Sequence, residues 1–169
     1  MAIFTESYCK YLLENPFSKW KENKKKKDEE YKKYKEKIEA NNKRKFNFQG
    51  ITLSCYDTED PDRLVDLANK NYDEIKRQAA ESMWENIDNE YDYGDYSEPD
   101  KLDPFFKKYP KYQDLIPQMQ LISGQIYEDT IELDFKMKCK DPTNSKGRSV
   151  VLTISFDSND KIKYDDIDF

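Results

Sequence analysis

The 169-residue chain contains no histidine. Histidine is the side chain whose ordinary pKa lies nearest neutrality. Its absence removes the commonest general base, the usual serine and cysteine triads, and most zinc chemistry. Glycine is scarce, with four in the whole chain, and neither GxxxxGK[ST] nor GxGxxG occurs. The familiar backbone cradles for phosphate are therefore excluded. The three cysteines, Cys9, Cys55 and Cys139, are far apart and odd in number. They lack metal spacing and do not make a disulfide framework, so they read as free thiols of a reducing cytoplasm. No apolar run approaches the roughly 18 residues that a bilayer span requires. The opening MAIFTESYCKYLLENPF has no basic region leading into a long apolar stretch and does not read as a secretory signal. These absences set the expectation of a cytoplasmic protein that is not an enzyme, holds no cofactor and spans no membrane.

Charge and aromatic rings are what the chain has in quantity. Charged residues make up 38%, mean hydropathy is −1.11 and the formal charge is −6, a balance that leans toward disorder. Aromatic residues nevertheless reach 14%, which calls for at least one modest core. The charge is also uneven. Residues 19–45 hold thirteen Lys/Arg against six Asp/Glu, a local +7 that leaves −13 on the rest of the chain.

Residues 5–15 read as a short helix, with Thr5 as N-cap and Tyr8, Tyr11 and Leu12 on one face, and Pro16 limits its continuation. The lysine-rich segment that follows is made of helix formers with acids and lysines at helical spacing. Its apolar residues are only Trp20, Tyr31, Tyr34 and Ile38, a stripe too thin for firm packing. Residues 45–57, KFNFQGITLSCYD, switch to period two. Gly50 shifts the phase by one, which predicts one bent strand or a short hairpin. Next comes the clearest element, a long helix capped by Thr58 or Asp60, with Pro61 in its first turn. Leu64, Leu67, Ala68, Tyr72, Ile75, Ala79, Met83, Ile87 and Tyr91 line one face of it.

DPFFKKY reads as a short helix and YQDLIPQM as a further turn or extended piece. The last third alternates again. QLISGQIYED and TIELDFKMKC meet at Glu128 and Asp129, DPTNSKG and SND are turns, and RSVVLTISFD and KIKYDDIDF are strands. Ile131, Leu133, Phe135 and Met137 share one face of their strand, as do Val150, Leu152, Ile154 and Phe156. The predicted fold class is α+β. An antiparallel sheet of about five strands is covered by one long helix, with an N-terminal helical extension over residues 1–45 and a single domain over residues 46–169.

The functional question centres on NEYDYGDYSEPDKLD, residues 89–103, where acids and tyrosines alternate. A tyrosine buries a rigid, amphipathic ring at low entropic cost, and acids attract a cationic partner at long range. Tyr91, Asp92, Tyr93, Asp95, Tyr96 and Glu98 are therefore the candidate partner-binding residues. Asp92, Asp95, Glu98 and Asp100 also offer oxygens to a hard cation, although the EF-hand pattern is missing. Asp165, Asp166 and Asp168 form a second acidic group, read as edge-strand charge that discourages aggregation. The lysines at 24–27 with Tyr31 and Tyr34 suggest phosphate contacts and stacking. The acids interleaved among them favour a solvated, salt-bridged helix face, so nucleic acid is not expected as a partner.

Taken in order, CYDTED, the long helix DRLVDLANKNYDEIKRQAAESMWENIDNEY, then LIPQMQLISGQIYEDTIELDF, RSVVLTISFD and KIKYDDIDF resemble an uncharacterised bacterial family of domains of unknown function. Its members are similar to immunity proteins of polymorphic toxin systems. The resemblance covers residues 46–169. It departs from the family at KGRSVVLTI, where members carry a histidine before the penultimate strand and this chain has none, so no role of that histidine carries over. The resemblance implies a small cytoplasmic α+β protein that neutralises a toxin. Composition and resemblance together lead to a non-enzymatic binding protein that occludes a basic toxin or similar cationic partner. The alternatives are an oligomerisation scaffold and a carboxylate-based metal-binding protein.

Overall fold

The computed structural model describes residues 16–93, 99–140, 142 and 147–169, with side chains described for all of these except 16–18, 91–93 and 99–103. The chain divides into two compact units, Met1–Ala40 and Asn41–Phe169. The helix expected over residues 5–15 lies outside the described residues, as does most of the DPTNSKG turn. Helix α1, Pro16–Asn41, carries the lysine-rich segment. Its surface is laced by ion pairs at i,i+4 spacing, Lys25 to Glu29 and Lys32 to Glu36. Lys24 Nζ lies 5.5 Å from the centre of the Trp20 ring. Trp20, Tyr31 and Tyr34 are exposed, as expected of a helix that is polar nearly all round.

In the second unit, strands β1 (Lys45–Phe48) and β2 (Ile51–Tyr56) form the hairpin alternative. The two turn residues, Gln49 and Gly50, have φ of 49° and 87°. Two left-handed residues in sequence are the twist-matched way to join paired strands, and this is what the phase shift at Gly50 marks. Helix α2, Pro61–Lys70, starts at Asp60, whose Oδ1 accepts from the Arg63 backbone N–H at 3.2 Å. Thr58 is buried instead, its hydroxyl donating to the Tyr56 carbonyl.

The single long helix of the sequence reading is corrected here to two, α2 and α3 (Tyr72–Tyr93), separated at Asn71. Both the backbone N–H and the side-chain amide of Asn71 donate to the Leu67 carbonyl, at 3.1 and 2.8 Å. The side-chain bond back to the preceding turn competes with the helical one for the Leu67 carbonyl, and the helical run breaks at that one residue. Helix α4, Pro99–Lys108, and a 3-10 helix, Tyr112–Gln118, then lead into strand β3, Met119–Tyr127. Strands β4 (Thr130–Met137), β5 (Ser149–Phe156) and β6 (Ile162–Asp168) complete the chain.

The sheet has six strands in the order β1-β2-β3-β4-β5-β6, one more than expected because residues 45–56 contribute two. It is mostly antiparallel but mixed, since β2 and β3 run parallel, with Ser54, Cys55 and Tyr56 beside Gln125, Ile126 and Tyr127. A parallel pair needs a long crossover, and α2, α3, α4 and the 3-10 helix lie in that connection. The two apolar strand faces singled out in the sequence meet on one side. Ile131 pairs with Ile154, Leu133 with Leu152 and Phe135 with Val150.

Over these residues pack Leu64 and Ala68 from α2, and Ile75, Ala79, Ala80, Met83 and Ile87 from α3. The Tyr72 ring meets Phe48 edge-on at 5.7 Å and stacks on Phe135 at 6.4 Å. Gly124 belongs to the same packing. A Cβ there would stand 2.6 Å from the Glu132 carbonyl oxygen and 2.9 Å from Leu53 Cδ2, so only glycine lets β3 lie this close to its neighbours.

Candidate partner-binding surface

The acidic stretch grows directly out of α3, whose last residues are Tyr91, Asp92 and Tyr93. The side chains of these three, and all of Asp95, Tyr96 and Glu98, lie outside the described residues. What is described is the root of the stretch. Glu90 Oε2 accepts from Arg148 Nη2 at 2.7 Å, and the Arg148 side chain is only 9% exposed. This ion pair fastens the last turns of α3 to the residue just before β5. One turn and a half earlier, Trp84 Nε1 donates to the Tyr109 carbonyl at 3.0 Å, and its ring meets Phe106 edge-on. The helix that carries the acidic stretch is thus fixed both to the sheet and to the segment following α4.

The core face of the sheet is covered by helices, and the strand residues between the buried ones make a second, polar face. Register places its side chains, because directly paired residues project to the same side. One row runs Ser54, Gln125, Glu132, Thr153, Asp166. The next runs Ser123, Asp134, Val151, Asp168. Beyond the first row, Tyr56 lies beside Tyr127, both nearly half exposed. Asp165, grouped with Asp166 and Asp168 in the sequence reading, is the extra residue where the β5–β6 register shifts, between the Asp166 and Tyr164 pairings.

Between β3 and β4 this face holds a cleft of about 310 Å³ lined by Ser123, Gly124, Gln125, Glu132, Asp134 and Val151. Ser123 Oγ donates to Asp134 Oδ2 at 3.2 Å, and the Gln125 side-chain amide donates to Glu132 Oε2. Asp134 Oδ1 is shielded from solvent and has no hydrogen-bond partner among the described residues. An acceptor left this way is energetically costly unless something else supplies the donor.

The helical side has its own charged centre. Arg77 on α3 holds Glu74 at 2.7 Å, Glu81 at 3.2 Å and the Tyr112 hydroxyl at 3.4 Å. The hydrogen bond to Glu74, then that to Tyr112, raises the Arg77 pKa further above its already high ordinary value. Near it, burial first and the Glu74 carboxylate second push the Tyr164 phenol up to about 12. The Tyr164 hydroxyl is buried without a hydrogen-bond partner among the described residues.

A second cavity of about 390 Å³ lies among Pro104, Phe105, Lys108, Tyr109, Cys139, Lys140 and Pro142. Cys55 is buried and Cys139 half-buried, both as free thiols, and Cys9 lies outside the described residues. Among the described residues, no three His, Cys, Asp or Glu side chains converge closely enough to hold a metal ion. Among the same residues, no helix is long and apolar enough to cross a membrane.

The short turns and alternating strands imply a polar outer face, but apart from Asp166 and Asp168 none of its residues stands out in the sequence as a candidate site. Gln125, Tyr127, Thr130, Glu132 and Asp134 are the alternate positions of the strands whose apolar positions were recognised. No protein-family model, curated protein or solved structure matches the chain.

Proposed function

We propose that this chain is a non-enzymatic binding protein that neutralises a basic bacterial toxin, or a similarly cationic protein, by occluding it in the cytoplasm. Tyr91, Asp92, Tyr93, Asp95, Tyr96 and Glu98 make the contact. The observation that supports this reading best is the anchoring of their root: Arg148, the residue before β5, pairs with Glu90 near the end of α3, which fixes the helix that leads into the acidic stretch. The acids accelerate encounter with a positive surface. The net charge of −6 favours the same class of partner.

The test is a growth assay with a toxin domain encoded beside this chain. Co-expression of the chain restores growth arrested by that domain. The triple variant Asp92→Asn, Asp95→Asn, Glu98→Gln restores it less, and its affinity for the domain depends less steeply on salt. Full rescue by the triple variant with unchanged salt dependence removes these residues from the site. Failure of the unaltered chain to rescue growth or to bind removes the function. A second reading, an oligomerisation scaffold, draws on the exposed rings of Trp20, Tyr31 and Tyr34 on α1. It requires a sedimenting homo-oligomer that is lost with residues 1–40.

A further inference from the structure

We propose that one face of α1 binds single-stranded nucleic acid through Trp20, Lys24, Lys27, Tyr31 and Tyr34. In the sequence, acids interleave with these lysines; on the helix they separate. Trp20, Lys24, Lys27, Tyr31, Tyr34 and Ile38 follow one another at alternating steps of four and three residues, the spacing that keeps side chains on one stripe of a helix. Asn23 and Lys35 border the stripe, and Asp28, Glu30 and Glu39 stand beyond them at the flanks. Glu22, Glu29 and Glu36 are seven residues apart and lie on the opposite side, where Lys25 and Lys32 pair with Glu29 and Glu36. The cation–π contact of Lys24 with the Trp20 ring shows that lysine and ring share the stripe. Trp20, Tyr31 and Tyr34 are 55%, 69% and 47% exposed, and Lys24 and Lys27 are exposed beside them. Rings this open to water add little to any core.

Two properties of this face select its occupant. The lysines offer positive charge to phosphates, and the rings offer flat surfaces on which unpaired bases stack. From Trp20 to Tyr34 the helix advances about 21 Å, the reach of several nucleotides. Charges in salt act over about 10 Å, so the local excess of lysine governs although the whole chain carries −6. An acidic polypeptide would use the lysines and leave the rings idle. An anionic membrane needs an apolar face to insert, and the one aliphatic side chain of the stripe, Ile38, is buried near the end of the helix. A second copy of α1 on the same stripe would bury Lys24 and Lys27 in the seam. The inference does not depend on the reading of the acidic stretch.

The experiment titrates an end-labelled oligouridylate of about 12 nucleotides with the full chain, following fluorescence anisotropy at about 50 and 200 mM salt. The expected result is binding that weakens as salt rises. Tyr31→Ala with Tyr34→Ala weakens it by about tenfold and leaves the salt dependence unchanged, because stacking carries no net charge. Tyr31→Phe with Tyr34→Phe keeps the rings and retains the binding. Lys24→Gln with Lys27→Gln weakens it and lowers the slope of log affinity against log salt by about one. Lys25→Gln with Lys32→Gln, the same loss of charge away from the stripe, leaves affinity nearly unchanged, and circular dichroism confirms that each variant keeps its helix. Equal weakening by the two lysine pairs means attraction by net charge alone and overturns the proposal. Full binding by the alanine variant overturns it too, as does a duplex bound as tightly as the single strand. Polyglutamate or vesicles of anionic lipid bound more tightly than the oligonucleotide reassign the face to that partner. No binding at the lower salt removes the site.

Discussion

Tyr164 shows how much a single buried hydroxyl can report. Its ring packs on the helical side of β6, and its phenol is pushed up to about 12 by burial and by Glu74, against the opposing pull of Arg77. In the unfolded chain a tyrosine titrates at about 10. Between those values the unfolded chain releases the proton while the folded chain keeps it. Stability tied to this group is therefore complete below about pH 10 and is lost as pH rises through about 12. Tyr164→Phe removes a hydroxyl that has no hydrogen-bond partner among the described residues. The variant is expected to match the parent or exceed it by up to about 1 kcal/mol near neutrality. Its advantage should widen in alkali. Urea denaturation at about pH 8 and about pH 11 checks this, since the other alkaline groups, including the half-buried Tyr72 whose pKa is also raised by burial, are common to both proteins. An advantage of the same size at both pH values would mean that the phenol does not titrate as its surroundings dictate.

At the scale of elements, the ion pair of Arg148 and Glu90 joins the end of α3 to β5, with the arginine nearly buried and the glutamate 38% exposed. Arg148→Met leaves a half-buried carboxylate without its cation and should cost roughly 1–3 kcal/mol, below the figure for a fully buried pair because solvent reaches Glu90. Glu90→Gln keeps a hydrogen-bond acceptor and should cost less. The double variant should cost less than the two single losses combined, because the partners are coupled. Chemical denaturation of the three proteins measures this, and an Arg148→Met variant within about 0.5 kcal/mol of the parent would remove the pair as the anchor.

The same elements show what the sequence could convey. Strands were legible because Ile131, Leu133 and Phe135 alternate with polar residues, and that period is a local signal. The break at Asn71 was not, because asparagine is tolerated inside helices and its back-bonding to Leu67 leaves the apolar period unbroken. The parallel pairing of β2 with β3 was hidden for another reason, since strand partners separated by long crossovers are chosen by the whole core. Which polar residues stand side by side is likewise set by strand pairing and not by any one strand. Glu132 is an unremarked surface residue in β4 until register sets it between Gln125 and Thr153.

At the scale of the molecule, charge and core are distributed differently along the chain. Residues 19–45 carry +7 and the remainder −13, whereas the hydrophobic cluster among the described residues is built wholly from the unit Asn41–Phe169. That unit has about 130 residues, an ordinary size for a domain with its own core. It also keeps the contacts that close its N-terminal end. The Asn41 side chain donates to the Thr58 and Glu59 carbonyls at 2.8 and 3.1 Å, and Arg44 pairs with Asp62 through two hydrogen bonds of 2.7 Å. A chain beginning at Asn41 should therefore unfold in one cooperative denaturant transition with the midpoint of the full protein. In that shortened chain, Asn41→Ala should lower stability by about 1–3 kcal/mol, because the substitution leaves two carbonyls without their donor. Denaturant titrations of the full chain, the shortened chain and the shortened Asn41→Ala chain test this together. A broad or early transition in the shortened chain would show that residues 1–40 contribute to the fold of the rest, and the division between a basic helix and a self-sufficient acidic domain would have to be given up.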